Sequence, residues 1–256
     1  MRTIFLRKTV LLAICLLPFA NSLFSQSGFV ESQKANPKMA DIFNAREDKL
    51  KAEFEKKDIS WPPRSIYIRS FKYDRQMEVW IKDSYTSPYK LLKTYKICAQ
   101  SGTSGPKRME GDYQVPEGFY YVNDFNPNSN YHLSLGLNYP NASDRILSDS
   151  IHPGSDIYIH GNCVSVGCIA IKDDPVEELY VLASYARGNG QDFIPVHVFP
   201  AKYTEKKSMD YLTEAGKGKP AFQKFAANLK EVFTYFEENK KLPVILVNKK
   251  GEYIVN

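Results

Sequence analysis

The chain has 256 residues, of which 43% are hydrophobic, and a formal net charge of +5. This hydrophobic content excludes a largely disordered protein, and the length fits one large domain or two small ones. The 17 Tyr and 15 Phe, with 15 Pro and 14 Gly spread along the chain, favour a β-rich fold with many turns over a helical bundle.

Residues 1–25 have the layout of a secretory signal peptide. Arg2, Arg7 and Lys8 precede an apolar run over residues 10–20, and small and polar residues follow it. The run is too short to span a bilayer comfortably, and no later stretch approaches the roughly 20 apolar residues that a membrane helix needs. We therefore expect an exported protein of the periplasm or cell envelope without a stable membrane span. An uncleaved N-terminal anchor is the alternative.

Removal of this leader changes the charge and the cysteine count. Taking its three basic residues from the total of 34 leaves 31 against 29 acidic residues, so the exported portion is nearly neutral. The chain has no basic stripe of the kind that binds nucleic acid. Three cysteines remain, Cys98, Cys163 and Cys168, and an odd number leaves at least one thiol unpaired within the chain.

A helical lead-in is predicted over residues 26–63, with one helix at about 37–57. Its apolar residues follow an imperfect helical stripe: Met39, Ile42, Phe43, Leu50 and Phe54. Trp61-Pro62-Pro63 ends it, because proline blocks continuation of a helix and restricts the residue before it.

From residue 64 the hydrophobic period changes to two, which is typical of strands. Strands are predicted at residues 66–71, 77–81, 91–99, 119–122, 131–137, 156–160 and 194–199, the last at a sheet edge near Pro195. Residues 101–118 are too rich in glycine and proline for regular structure. They predict a long loop, and loops of this length in a compact domain usually have a function.

The remaining elements are helical, apart from a hairpin at the C-terminus. A helix is predicted at residues 174–188 with Asp174 as N-cap, Pro175 at the first helical position and Glu177 completing a capping box. A second helix is predicted at 220–239 and a β-hairpin at 243–255. The prediction is a mixed α+β fold: a β-rich domain over residues 64–200 with packed helices, and a C-terminal helix and hairpin extension over residues 201–256.

Residues 157–171 contain the strongest candidate for chemistry, because His160 and Cys168 lie eight residues apart in a glycine-containing turn. A thiol of ordinary pKa, about 8.5, is only a few per cent ionised at neutral pH, and a neighbouring imidazole can take its proton. Spacing alone does not distinguish this pair from a strand-end histidine beside a buried, inert cysteine.

Two other arrangements of these residues remain open. Zinc could bind His160, Cys163 and Cys168, although the close Cys-x-x-Cys pairs of structural zinc sites are missing. A Cys163–Cys168 disulfide would silence the nucleophile, so we expect these two thiols to be apart. Cys98 is interpreted as a buried strand residue.

The same stretch resembles the active-site signature of the YkuD-type L,D-transpeptidases, in which His-Gly is followed by Ser-x-Gly-Cys. Within that family it is most similar to the YafK-like branch, whose spacing is similarly short. The resemblance covers roughly residues 64–200. It includes the loop over 105–118, the segment over 126–141 and the strand over 196–200.

The resemblance implies a role for each residue of the signature. Cys168 would be the nucleophile, acylated by a peptidoglycan stem peptide, and His160 the general base. The carbonyl of Gly161 would orient the imidazole, backbone N–H groups around Gly167 and Cys168 would bind the oxyanion, and Ser165 would shape the turn. No metal or organic cofactor is implied.

Substrate contacts are predicted for four further residues. His132 lies in a segment that the resemblance places near the site, with a packing role as the alternative to substrate contact. Tyr158 shares a strand face with His160. Lys107 and Arg108 could hold a stem-peptide carboxylate, or be solvated loop charges. His197 points away from Val196 and Val198 on its strand and is interpreted as structural.

The predicted function is therefore acyl transfer on peptidoglycan stem peptides through a thioester on Cys168. Many members of the wider family have a second His before the Gly-Cys and an Arg two residues after the Cys, where this chain has Val166 and Ala170. This difference leaves the acceptor undetermined. The alternatives are an amidase that releases a wall-anchored protein, and a non-catalytic wall-binding module.

Overall fold

A computed structural model describes residues 21–256 of the chain. The predicted signal peptide lies outside the described residues, except that α1 includes its last five positions. Within the described range no helix is both long enough and apolar enough to cross a membrane. The helices are α1 (Asn21–Lys34), α2 (Pro37–Glu55), α3 (Ala142–Leu147), α4 (Asp173–Gly188), α5 (Lys206–Gly216) and α6 (Pro220–Asn239).

Eight strands form a closed barrel in the order β1-β2-β3-β7-β6-β5-β4-β8. They are β1 (Ser65–Phe71), β2 (Gln76–Lys82), β3 (Lys90–Ala99), β4 (Gly118–Asn126), β5 (Ser134–Leu137), β6 (Tyr158–His160), β7 (Ile169–Ile171) and β8 (Ile194–Phe199). Strands β6 and β7 are parallel, as are β1 and β8, and the other neighbours are antiparallel. The predicted mixed α+β, β-rich fold is confirmed.

The prediction that the last barrel strand lies at an edge is wrong. Strand β8 pairs with β4 on one side and with β1 on the other, and so closes the barrel. Its proline is accommodated because Pro195 precedes Val196, the first residue of β8 that pairs with β1.

Strand β1 is buried on both faces, which explains why none of its seven residues is exposed. Ile66 and Ile68 join the main hydrophobic core with residues of α2 and α4. The other face turns towards the C-terminal helices: Phe71 packs with Phe233 of α6, and the buried Arg69 pairs with Glu237 of α6 at 2.7 Å. The barrel therefore lies between two layers of helices.

Residues 201–256 form α5, α6 and a two-stranded hairpin of β9 (Ile245–Val247) and β10 (Tyr253–Val255). Helix α6 has the bounds predicted from its apolar stripe, and the hairpin is also confirmed. Tyr253 seats the hairpin on the barrel, since its ring packs edge-on against Phe119 at 4.5 Å and its hydroxyl accepts a hydrogen bond from Asn141. Helices α3 and α5 were not predicted.

Two helices precede the barrel where one was predicted. All five stripe residues of α2 are buried, as expected. Helix α1 was not predicted because its apolar residues are not concentrated on one face of the helix. It packs beside α4, where the Tyr180 hydroxyl donates to Gln33, and Phe29 contacts Phe125 of β4 at 5.0 Å.

The predicted capping box of α4 is wrong. The helix begins at Asp173, its N-cap is Lys172, and no side chain caps it. Asp174 and Glu177 instead form ion pairs with Arg46 of α2. These carboxylates connect two helices, which a local reading of the sequence could not show.

Candidate active site

The His160 ring is oriented by a backbone carbonyl at the end of its own strand. Strand β6 lies between β5 and β7 and ends at His160, which is 2% exposed. Its Nδ1 lies 2.6 Å from the carbonyl oxygen of Gly161. Because a carbonyl can only accept, Nδ1 carries the proton, and Nε2 of the neutral ring is left with a lone pair. The imidazole is thus held in the tautomer that a general base requires.

Cys168 is placed on the same face of the sheet as His160. In the parallel pairing of β6 and β7, Ile159 lies opposite Ile169 and His160 opposite Ala170. Continuing this register by one residue puts Cys168 beside Tyr158, two positions along the strand from His160. With strands about 4.8 Å apart and a rise of about 3.3 Å per residue, the Cα atoms of Cys168 and His160 are about 8 Å apart. Two side chains on one face can meet across this diagonal.

The thiol of Cys168 is free and half-buried. It hydrogen bonds to the carbonyl oxygen of Asp156 at 3.6 Å. Asp156 itself has a positive φ of 57°. In this arrangement the thiol is hydrogen-bonded to the backbone and not to His160.

The environment favours the neutral form of both groups. Burial raises the pKa of the Cys168 thiol and Asp156 adds to the rise, while the Tyr158 backbone N–H and the charge of Lys107 act in the opposite direction. Burial lowers the pKa of His160, and the Gly161 carbonyl partly offsets this. The resting pair is therefore a thiol and a neutral imidazole rather than a preformed thiolate–imidazolium pair.

Residues 161–168, here called the nucleophile turn after the role predicted for Cys168, connect β6 to Cys168. Ser165 donates from Oγ to the carbonyl of Cys168 at 2.7 Å and accepts from the N–H of Gly167 at 3.3 Å. Gly167 has φ of 123°, a region that favours glycine. At the start of the turn the Asn162 N–H donates to Asp173 at 2.7 Å. Ser165 therefore shapes the backbone that presents the sulfur.

Cys163, in the middle of this turn, forms a disulfide with Cys98 at a Cα–Cα distance of 5.4 Å. The interpretation of Cys98 as a buried strand residue is therefore corrected: it is half-buried and covalently paired. The Cys163–Cys168 alternative is also wrong, since Cys168 is free as expected. Cys163 is not available as a thiolate, so the zinc site that the sequence left open loses one of its three ligands.

Tyr131 is a site residue that the sequence did not single out. Its ring lies 4.7 Å from the His160 ring at an angle of 36°. The face of a tyrosine ring attracts a cation, so this contact would favour a protonated imidazole. Tyr131 was predicted within a strand, but β5 begins only at Ser134. The sequence offered one indication that Tyr131 lies at the site: it directly precedes His132, in a segment expected near the site.

The side chain of His132 is engaged away from the nucleophile. Its Nε2 lies 2.7 Å from Glu177 of α4, and its carbonyl accepts from Lys38. Its Cβ lies close to Gly161, where an added methyl group would come within 3.1 Å of it. His132 thus supports the wall of the site next to the orienting carbonyl.

The predicted long loop is irregular in the structure and forms another wall. Lys107 is buried, pairs with Asp112 at 2.6 Å and donates to the Met109 carbonyl at 2.8 Å. It is therefore not a solvated charge, and its charge acts on the Cys168 thiol. Arg108 contacts Asp144 at 3.4 Å and lies over the ring of Phe225 in α6. The structure brings Lys107 towards Cys168 and places Arg108 against the C-terminal helix.

Lys72, which directly follows β1, binds this loop from the barrel. The lysine is 3% exposed, and its ammonium donates to the carbonyls of Gly105 at 3.1 Å and Val115 at 2.8 Å. It also pairs at 3.0 Å with Glu117, which is fully buried. A buried lysine is stable only with such partners, so this group fixes both ends of the loop.

His197 is buried away from the site, as its alternation with valines predicted. Its Nδ1 lies 2.8 Å from the hydroxyl of Tyr67, and Phe119 packs on its ring. Burial and the charge of Arg69 lower the pKa of His197 to about 3. The ring is therefore a neutral part of the core.

Comparison with known proteins identifies the family. The family model of the YkuD L,D-transpeptidase catalytic domain matches residues 66–198. The chain is 34% identical over 193 residues to the Escherichia coli K12 protein named "Putative L,D-transpeptidase YafK", covering 75% of this chain and 74% of that protein. The chain belongs to the YkuD family. Its members act on peptidoglycan, so the family supports a peptidoglycan-related role for this L,D-transpeptidase homologue.

Solved structures also resemble the chain, at low similarity. The helical cell shape determining protein Pgp2 from Campylobacter jejuni is 19% identical with a TM-score of 0.43, over 72% of this chain and 73% of that one. L,D-transpeptidase 1 of Mycobacterium tuberculosis is 14% identical with a TM-score of 0.30, over 52% and 61%. The family assignment does not depend on these likenesses.

Proposed function

We propose that the protein is an exported cysteine acyltransferase that acts on peptidoglycan stem peptides through a thioester on Cys168. The observation that carries this proposal is the hydrogen bond from His160 Nδ1 to the Gly161 carbonyl. It leaves Nε2 unprotonated on the face of the sheet that also bears the thiol. Such an arrangement has the logic of a catalytic triad with a carbonyl in place of the carboxylate.

The reaction begins when the Cys168 side chain leaves the Asp156 carbonyl and its proton passes to His160 Nε2. The thiolate attacks the carbonyl carbon at the L-centre of the diamino acid, and the oxygen of the tetrahedral intermediate becomes negative. His160 then gives its proton to the leaving amine, the C–N bond breaks, and a thioester remains. Since burial favours the neutral form of both groups at rest, the thiolate forms through this proton transfer and is not already present in the resting site.

The oxyanion requires donors that become available at this step. The N–H of Gly167 donates to Ser165 Oγ over a long 3.3 Å in the resting structure. A negative oxygen is a stronger acceptor than a hydroxyl, so this N–H can be redirected to it. The positive φ of Gly167 gives the backbone the freedom to present the N–H.

The side chains around the thioester do not determine whether an amine or water accepts the acyl group. Ala170 lies opposite His160 in the β6–β7 pairing and is fully buried, so it offers only a methyl group. Val166 is 72% exposed at the turn and provides no polar group. With an amine acceptor the enzyme cross-links, and with water it acts as a hydrolase that can release a wall-linked protein. In both cases His160 deprotonates the acceptor.

The test is incubation of the purified protein with defined tetrapeptide muropeptides, followed by mass spectrometry of the products. A joined product supports transfer, while loss of a linked group without joining supports hydrolysis. Cys168→Ala must abolish both, and Val164→Ala, in an exposed part of the same turn, must not. Full activity of Cys168→Ala would contradict the proposal and favour the non-catalytic wall-binding alternative.

A further inference from the structure

The disulfide between Cys98 and Cys163 joins the barrel wall to the middle of the nucleophile turn. Cys98 lies at an irregularity in the pairing of β3 with β7, where Ile97 lies opposite Ile171 but Ala99 lies opposite Ala170. Between these two pairs the chain moves two residues along β3 but only one residue along β7. A bulge of this kind changes the direction of a side chain, and here that side chain is bonded to the turn.

The turn has few other attachments to the body of the protein. Four of its residues are exposed: Asn162, Cys163, Val164 and Val166. The Asn162 N–H bonds to Asp173 near the start of the turn. The bonds of Ser165 to Gly167 and Cys168 are internal to the turn and do not fix its position. The disulfide is the covalent attachment at the centre.

The strands on either side of the turn are short, although each is also paired with a neighbour in the barrel. Strands β6 and β7 have three residues each, and their pairing consists of Ile159 with Ile169 and His160 with Ala170. Cys168 lies just before the first paired residue of β7. The position of its sulfur relative to the imidazole therefore depends on the path of the turn as well as on this pairing.

We propose that Cys98 and Cys163 are positioning residues for the reaction, since their disulfide holds the nucleophile turn so that the Cys168 thiol can reach His160. This inference rests on the proposed function of Cys168. Without the link, the turn samples more conformations, and the reactive arrangement is populated less often. Small displacements of reacting groups reduce rates by up to about a hundredfold, so we expect a rate loss of roughly ten- to a hundredfold.

The disulfide also provides a reversible experiment on the natural chain. A phosphine breaks the S–S bond, which takes up two electrons and two protons to give two thiols, while the phosphine becomes its oxide with oxygen from water. Oxidised glutathione restores the bond and is itself reduced to two thiols. Labelling of Cys168 by iodoacetamide is then followed by mass spectrometry of the digested protein, which distinguishes the three thiols.

We expect Cys168 to be labelled fast in the oxidised protein, roughly ten- to a hundredfold more slowly after reduction and removal of the phosphine, and fast again after reoxidation. The double variant Cys98→Ser/Cys163→Ser should be as slow as the reduced protein and insensitive to phosphine. Val164→Ser, which changes an exposed side chain of the same turn, is the matched control and should behave as wild type. The labelling rate is measured from pH 6 to 9, well below the melting temperature of each sample.

The pH profile separates positioning from a merely structural role. Loss of positioning weakens the base-assisted reaction, so the rate deficit should be largest near neutral pH and shrink towards pH 9, where the thiolate forms without the base. A structural role alone lowers the melting temperature and leaves the rate of the folded protein unchanged. Wild-type labelling rates in the reduced protein would overturn the inference while leaving the proposed function intact. An unreactive Cys168 in the oxidised protein would overturn both.

Discussion

Replacement of His160 by alanine is expected to change how the reactivity of Cys168 depends on pH. In the wild type the pKa of His160 lies below its ordinary value of about 6.5 and the pKa of the thiol above its ordinary value of about 8.5. Between these limits the imidazole is neutral and the thiol protonated, so attack assisted by the base does not depend on pH. The wild-type rate should form a plateau across this interval.

Without the imidazole, only the thiolate that ionises spontaneously can react. A thiol of pKa 8.5 is about 3% ionised at pH 7, and burial reduces this fraction for Cys168. The labelling rate of His160→Ala should then rise about tenfold per pH unit across the wild-type plateau. General-base assistance raises a rate by about 10² to 10⁴. The labelling rate of His160→Ala should therefore be lower than that of the wild type by this factor at pH 7, and the difference should shrink as the pH rises.

The assay is the second-order rate of iodoacetamide labelling of Cys168 between pH 5 and pH 9, with the site assigned by mass spectrometry. His152→Ala is a suitable control because its imidazole is 72% exposed and its contact is with Glu110. Two results would refute the reasoning. One is a wild-type rate that stays high down to pH 4, as a preformed thiolate–imidazolium pair would give. The other is a His160→Ala profile parallel to that of the wild type.

Three further predictions concern residues that support the site and the core. In Gly161→Ala the added Cβ would lie 2.6 Å from Asp173 Oδ1, so the turn must shift. We expect slower Cys168 labelling and a loss of about 1–3 kcal/mol in the free energy of unfolding, measured by urea denaturation. Arg69→Ala removes the buried partner that Glu78 contacts at 2.6 Å and should cost about 3–5 kcal/mol in the same assay; a loss below 1 kcal/mol would contradict a buried pair. His197, with its pKa lowered to about 3, contributes stability that is present above pH 6.5 and lost as the pH falls towards 3. Between pH 7 and pH 5 the free energy of unfolding of the wild type should therefore fall by about 2 kcal/mol more than that of His197→Gln. Equal decreases would show that the folded protein does not hold this ring in its neutral form.

Seven of the eight barrel strands were predicted from the alternation of apolar residues, and β7, which has three buried residues, was not. The same reasoning gave the bounds of α6, whose apolar residues repeat at helical spacing. It failed for α4, because Asp174 and Glu177 have the residue types of a helix cap but are used in ion pairs with Arg46. Local patterns cannot tell a capping carboxylate from one that binds a distant helix.

For the candidate site, the family resemblance singled out His160 and Cys168, and the pairing of β6 with β7 puts these residues at the ends of adjacent strands. Their catalytic roles stay predictions. The pairing of Cys98 with Cys163 was not predictable, because it depends on a bulge in β3 that brings together residues 65 positions apart. Tyr131 was missed for a similar reason, since its contact with His160 crosses between separate segments.

The central claim is that Cys168 forms a thioester with a stem peptide. It is tested most directly by intact-protein mass spectrometry after mixing the oxidised enzyme with a defined tetrapeptide muropeptide and quenching with acid. We predict an adduct with the mass of the acyl fragment, located on Cys168 by digestion and released by hydroxylamine. The adduct should be missing in Cys168→Ala and form much more slowly in His160→Ala. An adduct on another residue, or product formation by Cys168→Ala, would contradict the account.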